Sequence, residues 1–188
     1  ESQFTRRDFT IENFYNGIKR FTLGLARKVF IANQLALIAD SIFALETSEM
    51  TPLIAWAGIL CYALQIYHDF AGYSDMAIGL GKMFGFTFPE NFNFPYIAQS
   101  IQEFWRRWHI TLSAWFKDYL YIPLGGNRCS QRRVLINLYI VFFCTGLWHG
   151  ASWNFVIWGL LHGTFLVIER IGFKKILEKI WSPIRHLY

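Results

Sequence analysis

From Val134 to Ile168 the chain has no Asp, Glu, Lys or Arg, and an uncharged run of about 35 residues exceeds what the core of a water-soluble domain requires. Charge is thin throughout: 16% of residues are charged against 54% hydrophobic and 19% aromatic, with a mean hydropathy of +0.26, which indicates an integral membrane protein. Cysteine is scarce as well. Cys61, Cys129 and Cys144 are odd in number, show no C-x-x-C spacing, and two of them lie inside apolar runs, so neither a disulfide framework nor a zinc site is indicated. There is no H-E-x-x-H, and His149 and His162 lack an acidic companion, so no metal is expected. The net charge of +5 gathers beside the apolar runs, which suits anionic lipid and membrane orientation and excludes a nucleic-acid groove reader. The chain opens at Glu1 on polar sequence without a methionine or signal segment, and is expected to be an internal piece of a longer protein whose further spans complete the bundle.

Apolar residues recur at Ile11, Phe14, Tyr15, Ile18, Phe21, Leu25 and Val29 while Lys19, Arg20, Arg27 and Lys28 take other faces, the period of an amphipathic helix lying along a membrane surface or, equally, of a solvated helix packed on its own protein. Ile31 to Leu45 is apolar but short and marked by Asp40, and is expected to be re-entrant. Met50 to His68 carries no formal charge and is long enough to cross once. It runs into HDFAGYSDMAIGLGKMFGF, where Asp69 and Asp75 could be caps, polar anchors or catalysts and the glycines suit close helix packing. PENFNFPYIAQS, with two prolines and two asparagines, reads as a loop carrying aromatic plugs. Ser100 and Glu103 form a capping box, so a helix is predicted through IQEFWRRWHITLSAWFKDYL. At 100° per residue its apolar arc holds Trp105, Trp108, Leu112, Phe116 and His109, which fits an interfacial amphipathic helix whose histidine caps a neighbour and equally a helix dipping toward a buried polar site.

The long uncharged run has a break at its midpoint, GLWHGASWNF, so it is predicted to be a helical hairpin with His149 at the turn. Its arms, Val134 to Trp148 and Ala151 to Ile168, would rise about 22 and 27 Å. Arg128, Arg132 and Arg133 precede it and Arg170, Lys174, Lys175, Lys179 and Arg185 follow it, so both flanks are expected on the cytoplasmic side. Gly159 and Gly163 make a G-x-x-x-G contact face, with His162 beside it as a packing or orienting residue. An ionisable residue at membrane depth is costly, and His149 is therefore a functional candidate, a hydrogen-bonded packing histidine being the other reading. The fold class expected is all-α: a polytopic membrane helical bundle with re-entrant and interfacial amphipathic helices. One partial domain over residues 1–188 would comprise an amphipathic and re-entrant segment (1–45), a span (50–68), an amphipathic helix (100–120) and a hairpin (134–168).

Taken together, HDFAGYSDMAIGLGKMFGF, PENFNFPY, EFWRRWHITLSAWFKDYLYIPLGGNR and GLWHGASWNFVIWGLLHG resemble the bacterial branch of the membrane-bound O-acyltransferase family, nearly without interruption from Gln65 to Arg170. The resemblance implies a partial fold of that family, a multi-pass protein of the bacterial inner membrane. It implies an O-acyltransferase moving acetyl from a cytoplasmic thioester such as acetyl-CoA toward hydroxyls of a cell-surface polysaccharide, alginate-like or peptidoglycan, with no bound cofactor. The expected partners are the lipid bilayer, the acyl donor, and a periplasmic or extracellular O-acetyltransferase with its polysaccharide acceptor, and no nucleic acid. His149 would correspond to the family's essential histidine and His109 to a second polar position in the same tunnel. Deprotonating an alcohol as it attacks a thioester requires a base, for which neutral imidazole is suited. Trp148 and Asn154, with His109, are candidates to bind substrate and hold the developing oxyanion. A transporter or channel could also use intramembrane histidines and glycine-broken helices, but internal repeats are expected there and the sequence has none. A non-catalytic scaffold would be indifferent to His149.

Overall fold

The computed structural model describes Gln3, Arg7 and residues 9–186, and among these every regular element is helical. The chain forms two compact units, Glu1–Glu90 and Asn91–Tyr188.

The first unit is an antiparallel helix pair. Helix α1 runs from Ile11 to Phe43 after an N-cap at Thr10, whose hydroxyl accepts the Asn13 N–H at 3.0 Å. The sequence divides this stretch into a surface helix and a separate re-entrant segment, and the structure joins them into one helix. A π-turn at Arg27–Ala32 explains the difference. It inserts roughly one residue, which rotates the following apolar stripe by about 100°, so a single helical period fails across it. Helix α2, Pro52–Met83, starts on a Thr51 cap with Pro52 at its first position and carries the run expected to cross the bilayer on by about four turns.

Two glycine pairs set the distance between α1 and α2. A Cβ on Gly17 would fall 2.7 Å from the Gly79 carbonyl oxygen and one on Gly79 would meet the Gly17 oxygen equally closely; Gly24 and Gly72 repeat the arrangement two turns along. Arg20 and Arg27 each lie three positions after one of these glycines and so share its face. Both reach Asp75, which accepts from Arg20 Nε at 3.1 Å, Arg20 Nη2 at 2.8 Å and Arg27 Nη1 at 2.5 Å, while Lys28 pairs with Asp69. The two acids that the sequence left open are therefore polar anchors. Arg20 also forks onto Glu90, and that hydrogen bond holds the Glu90 carboxyl below its ordinary range against the opposing effect of burial.

The second unit begins with a loop containing a 3₁₀ turn at Pro95–Ile97, followed by two short helices, α3 (Ile101–Arg107) and α4 (Ile110–Phe116), the latter continued by a π-turn at Lys117–Tyr121. Helices α5 (Gln131–His149) and α6 (Trp153–Leu177, kinked at Gly172, φ 140°) form the predicted hairpin, and a last turn, α7, covers Ser182–Arg185. Side chains are excluded where α5 and α6 meet: a Cβ on Gly159 would collide with the Phe142 carbonyl oxygen and one on Gly146 with that of Phe155, while Gly163 faces Phe142 and Tyr139. The G-x-x-x-G face is thus the inner face of the hairpin. Trp105, Phe116, Val141, Phe142 and Leu166 make the unit's core. Among the described residues two helices are long and apolar enough to cross a membrane, α1 and α6.

Because the atoms facing Gly79 are backbone atoms, Gly79→Ala is expected to cost about 2 kcal/mol and Gly79→Val more, as helix separation forces the Asp75 ion pairs to lengthen. Thermal unfolding of detergent-solubilised protein checks this, with the exposed Thr22→Ala on the partner helix α1 as the control; equal melting curves for Gly79→Val and Thr22→Ala would contradict the close contact.

Candidate active site

His109 stands at a break that the sequence did not predict. A single amphipathic helix over 100–120 was expected; instead the backbone is extended at Trp108 (φ −104°, ψ 129°) and left-handed at His109 (φ 44°, ψ 55°), separating α3 from α4. Histidine is among the side chains enriched in that left-handed region, but the cause lies in the preceding loop. Asn93 N–H donates to the Arg107 carbonyl at 2.9 Å, and Ile110 N–H donates to the Asn91 carbonyl at 3.0 Å. Asn91 Oδ1 accepts the Thr111 N–H at 3.3 Å and its hydroxyl at 3.0 Å. These groups take over the backbone bonds that a continuous helix would have made, so the chain turns without orphaned donors. Phe92 packs edge-on against Trp108 at 5.0 Å and Tyr96 stacks along Phe104 at 6.5 Å, which are the aromatic plugs read from the loop sequence.

The other end of α3 is fixed as firmly. The Ser100 hydroxyl accepts the Glu103 N–H at 3.1 Å, as the capping box predicts, and the Glu103 carboxylate returns to Gln99 N–H at 3.0 Å. That backbone hydrogen bond first, and the Arg107 guanidinium second, hold the Glu103 carboxyl below its usual range, with burial opposing them. Glu169, only 4% exposed, reaches across from α6 and accepts the N–H groups of Ile101 at 2.6 Å and Gln102 at 3.0 Å. A carboxylate at a helix N-terminus gains from both the free donors and the peptide dipoles, which offsets its desolvation.

His149 is the last residue of α5, followed by an extended Gly150 and by Ser152, whose hydroxyl accepts the Asn154 N–H at 3.4 Å to start α6. The break falls where the sequence placed it. The imidazole is exposed in this chain rather than enclosed in a dry bundle, and aromatic rings hold it: Trp158 at 4.8 Å, Trp148 at 5.1 Å and Phe155 at 6.1 Å. Among the described residues no hydrogen bond reaches its ring.

The structure brings His109 and His149 to the same tryptophan, since Trp148 also lies 5.9 Å from the His109 ring. The series continues inward through Trp158 to His162 at 4.8 Å and from His162 to Trp105 at 5.2 Å. His162 Nδ1 and Trp105 Nε1 are buried with no hydrogen-bond partner among the described residues. Asn154 is not drawn into this series; it is exposed on the first turn of α6, and its side chain makes no hydrogen bond among the described residues. Sequence reasoning missed Asn91, Asn93 and Glu169, which position the site. The asparagines read only as helix breakers, and the one available signal for Glu169 was an acid at the very end of an uncharged run.

Replacing Glu169 by Leu strands two N–H groups at the start of α3 and is expected to cost about 2 to 4 kcal/mol, with Glu169→Gln intermediate because its amide retains one acceptor oxygen. Amide exchange over Ile101–Arg107 should accelerate in that order, and unchanged protection in Glu169→Leu would refute the capping role.

The model of the membrane-bound O-acyltransferase family matches residues 1–179. A protein of Azotobacter vinelandii named probable alginate O-acetylase is 54% identical over 99% of this chain and 37% of its own length. The peptidoglycan O-acetyltransferase of Helicobacter pylori is 50% identical over 89% of the chain and 32% of its length, and the teichoic acid D-alanyltransferase of Bacillus subtilis 27% identical over 97% and 48%. The chain thus spans between about a third and a half of the length of these curated relatives. A match across nearly the whole chain, in the motifs that carry the broken helix and the hairpin turn, establishes that this chain belongs to the membrane-bound O-acyltransferase family.

Proposed function

We propose that the protein containing this chain is an O-acyltransferase of the bacterial inner membrane that moves acetyl from a cytoplasmic thioester, such as acetyl-CoA, toward hydroxyls of a cell-surface polysaccharide. The names of the relatives support an alginate-like polymer or peptidoglycan as the proposed acceptor class, reached directly or through a periplasmic acetyltransferase partner. The observation that carries the proposal is the contact of one tryptophan, Trp148, with two histidines that stand at separate helix breaks. In this reading His149 takes the proton of the attacking hydroxyl as its oxygen bonds to the thioester carbonyl carbon. Collapse of the tetrahedral intermediate breaks the C–S bond, and the proton passes from the imidazolium to the departing thiolate. His109 and Trp148 are placed to orient the acyl group or to donate to the oxyanion. Asn154 is kept as a substrate-binding residue only for a ligand that enters over the first turn of α6.

His149→Gln keeps a hydrogen-bonding side chain but no base, and should lower transfer of labelled acetyl by membranes carrying the full-length protein about 10²- to 10⁴-fold with normal insertion. His109→Ala should cost a few kcal/mol in barrier, roughly 10² or more in rate. Near-normal transfer by purified His149→Gln protein would eliminate the base role.

The basic segments on either side of the hairpin are assigned to the cytoplasm, because two crossings return the chain to the side it left and both flanks carry Lys and Arg. Cysteines placed in Gly125 to Arg133 and after Arg170 should label from the same face of sealed vesicles; labelling from opposite faces would remove the hairpin as a membrane element.

A further inference from the structure

Three cavities of the second unit meet at Gln102. One, of about 260 Å³, is walled mainly by apolar side chains such as Leu112, Phe116, Leu138 and Phe142, with Gln102 and Arg106 among its polar lining and Ser113 and Thr145 also bordering it. That volume is roughly nine times the share of one water molecule in the liquid, room for a length of alkyl chain. Gln102 and Arg106 also line a polar cavity of about 390 Å³ together with Arg107 and Lys174. Gln102 and Lys174 recur in a third, of about 380 Å³, with Arg170 and Lys175.

The charges around this junction are not balanced. Glu103 is engaged by Arg107 and Gln99, and Glu169 by two backbone N–H groups, which leaves Glu178 as the remaining acid in the lining. Among the described residues Lys174 hydrogen-bonds only the neutral Gln102 amide, at 3.3 Å, and Arg170 only the Asn127 amide oxygen, at 2.7 Å. Arg106 and Lys175 have no carboxylate partner among the described residues. An apolar slot that adjoins uncompensated cations has the polarity of an amphiphile with an anionic head. Exposed aromatic rings of the kind that settle at headgroup level occur in the same unit, Trp115 at 53%, Tyr119 at 70% and Trp181 at 73% exposure. None of the three cavities is lined by His109 or His149, the histidines proposed for acyl transfer, although Trp105, which lines the apolar one, also touches His162.

We infer that this junction is a binding site for an anionic phospholipid, with part of an acyl chain in the apolar cavity and the headgroup phosphate against Arg106 and Lys174. The site is independent of the acyl-transfer reading, and its test does not use activity. Full-length protein in mild detergent is titrated with dioleoylphosphatidylglycerol or dioleoylphosphatidylcholine and observed by native mass spectrometry. Phosphatidylglycerol should be retained preferentially, and the preference should fall about fivefold for each charge removed in Arg106→Gln and Lys174→Gln. Leu138→Trp, which fills the cavity, should abolish retention; the exposed Arg106→Gln keeps the test informative should Leu138→Trp not fold. Equal retention of both lipids by the unsubstituted protein and Arg106→Gln would overturn the inference. Displacement by glycerol 3-phosphate would also overturn it in favour of a free phosphate, and displacement by acetyl-CoA in favour of the donor.

Discussion

A peptide group at membrane depth has no water to bond, so any interruption of a helix must be matched by donors and acceptors that the protein supplies. Whatever the depth, the second unit supplies such partners at its helix breaks. The turn at Trp108–His109 exists because Asn91 and Asn93 offer one N–H, one carbonyl and one side-chain oxygen to backbone groups that would otherwise be stranded. The far end of the same short helix is supplied by Ser100, Glu103 and Glu169. A helix of two turns has little cooperative stability of its own, and α3 persists because partners from elsewhere in the unit satisfy both its ends. The position of Trp105 and of His109 follows from those partners rather than from helix propensity.

Glycine does the complementary work in both units. Apolar side chains gain little by leaving lipid for each other, so helix association depends on close backbone contact, which only residues without a Cβ allow. In the first unit such contact brings Arg20 and Arg27 within reach of Asp75, and in the second it closes the hairpin that ends at His149. The same glycines that set packing therefore decide which polar groups can meet. Ion pairs of this kind are costly to leave half-made, which makes the register of the helix pair hard to shift.

The hairpin, its turn at His149, the contact face at Gly159 and Gly163, the Ser100 cap and the loop before it were legible because each rests on local sequence: a charge-free run, glycine spacing, a cap signature and clustered prolines. The break at His109 was not. Its helix has a consistent apolar arc on both sides of the turn, and projection at a fixed angle passes straight through it; the information lies in asparagines more than a dozen positions upstream. The continuity of α1 was hidden for the opposite reason, since the π-turn at Arg27–Ala32 makes one helix look like two. Glu169 was illegible because nothing near it in sequence shows that the helix it caps begins at Ile101.

His149 differs in its support from the histidine of a serine-hydrolase triad, where a buried carboxylate fixes tautomer and orientation. Here no carboxylate or carbonyl touches the ring among the described residues, and three aromatic side chains orient it by contact alone. Ring contacts restrict the plane of the imidazole but leave both nitrogens available. In the base role proposed for it, His149 would surrender no hydrogen bond before accepting a proton, and its imidazolium would gain no neighbouring anion among the described residues, which would favour release of that proton. For the proposed acyl transfer from a thioester to an alcohol this would be an advantage, because the same proton would be taken from one oxygen and delivered to one sulfur within a single turnover. The tryptophans at 148 and 158 are then more than packing: they substitute shape for charge in orienting the histidine.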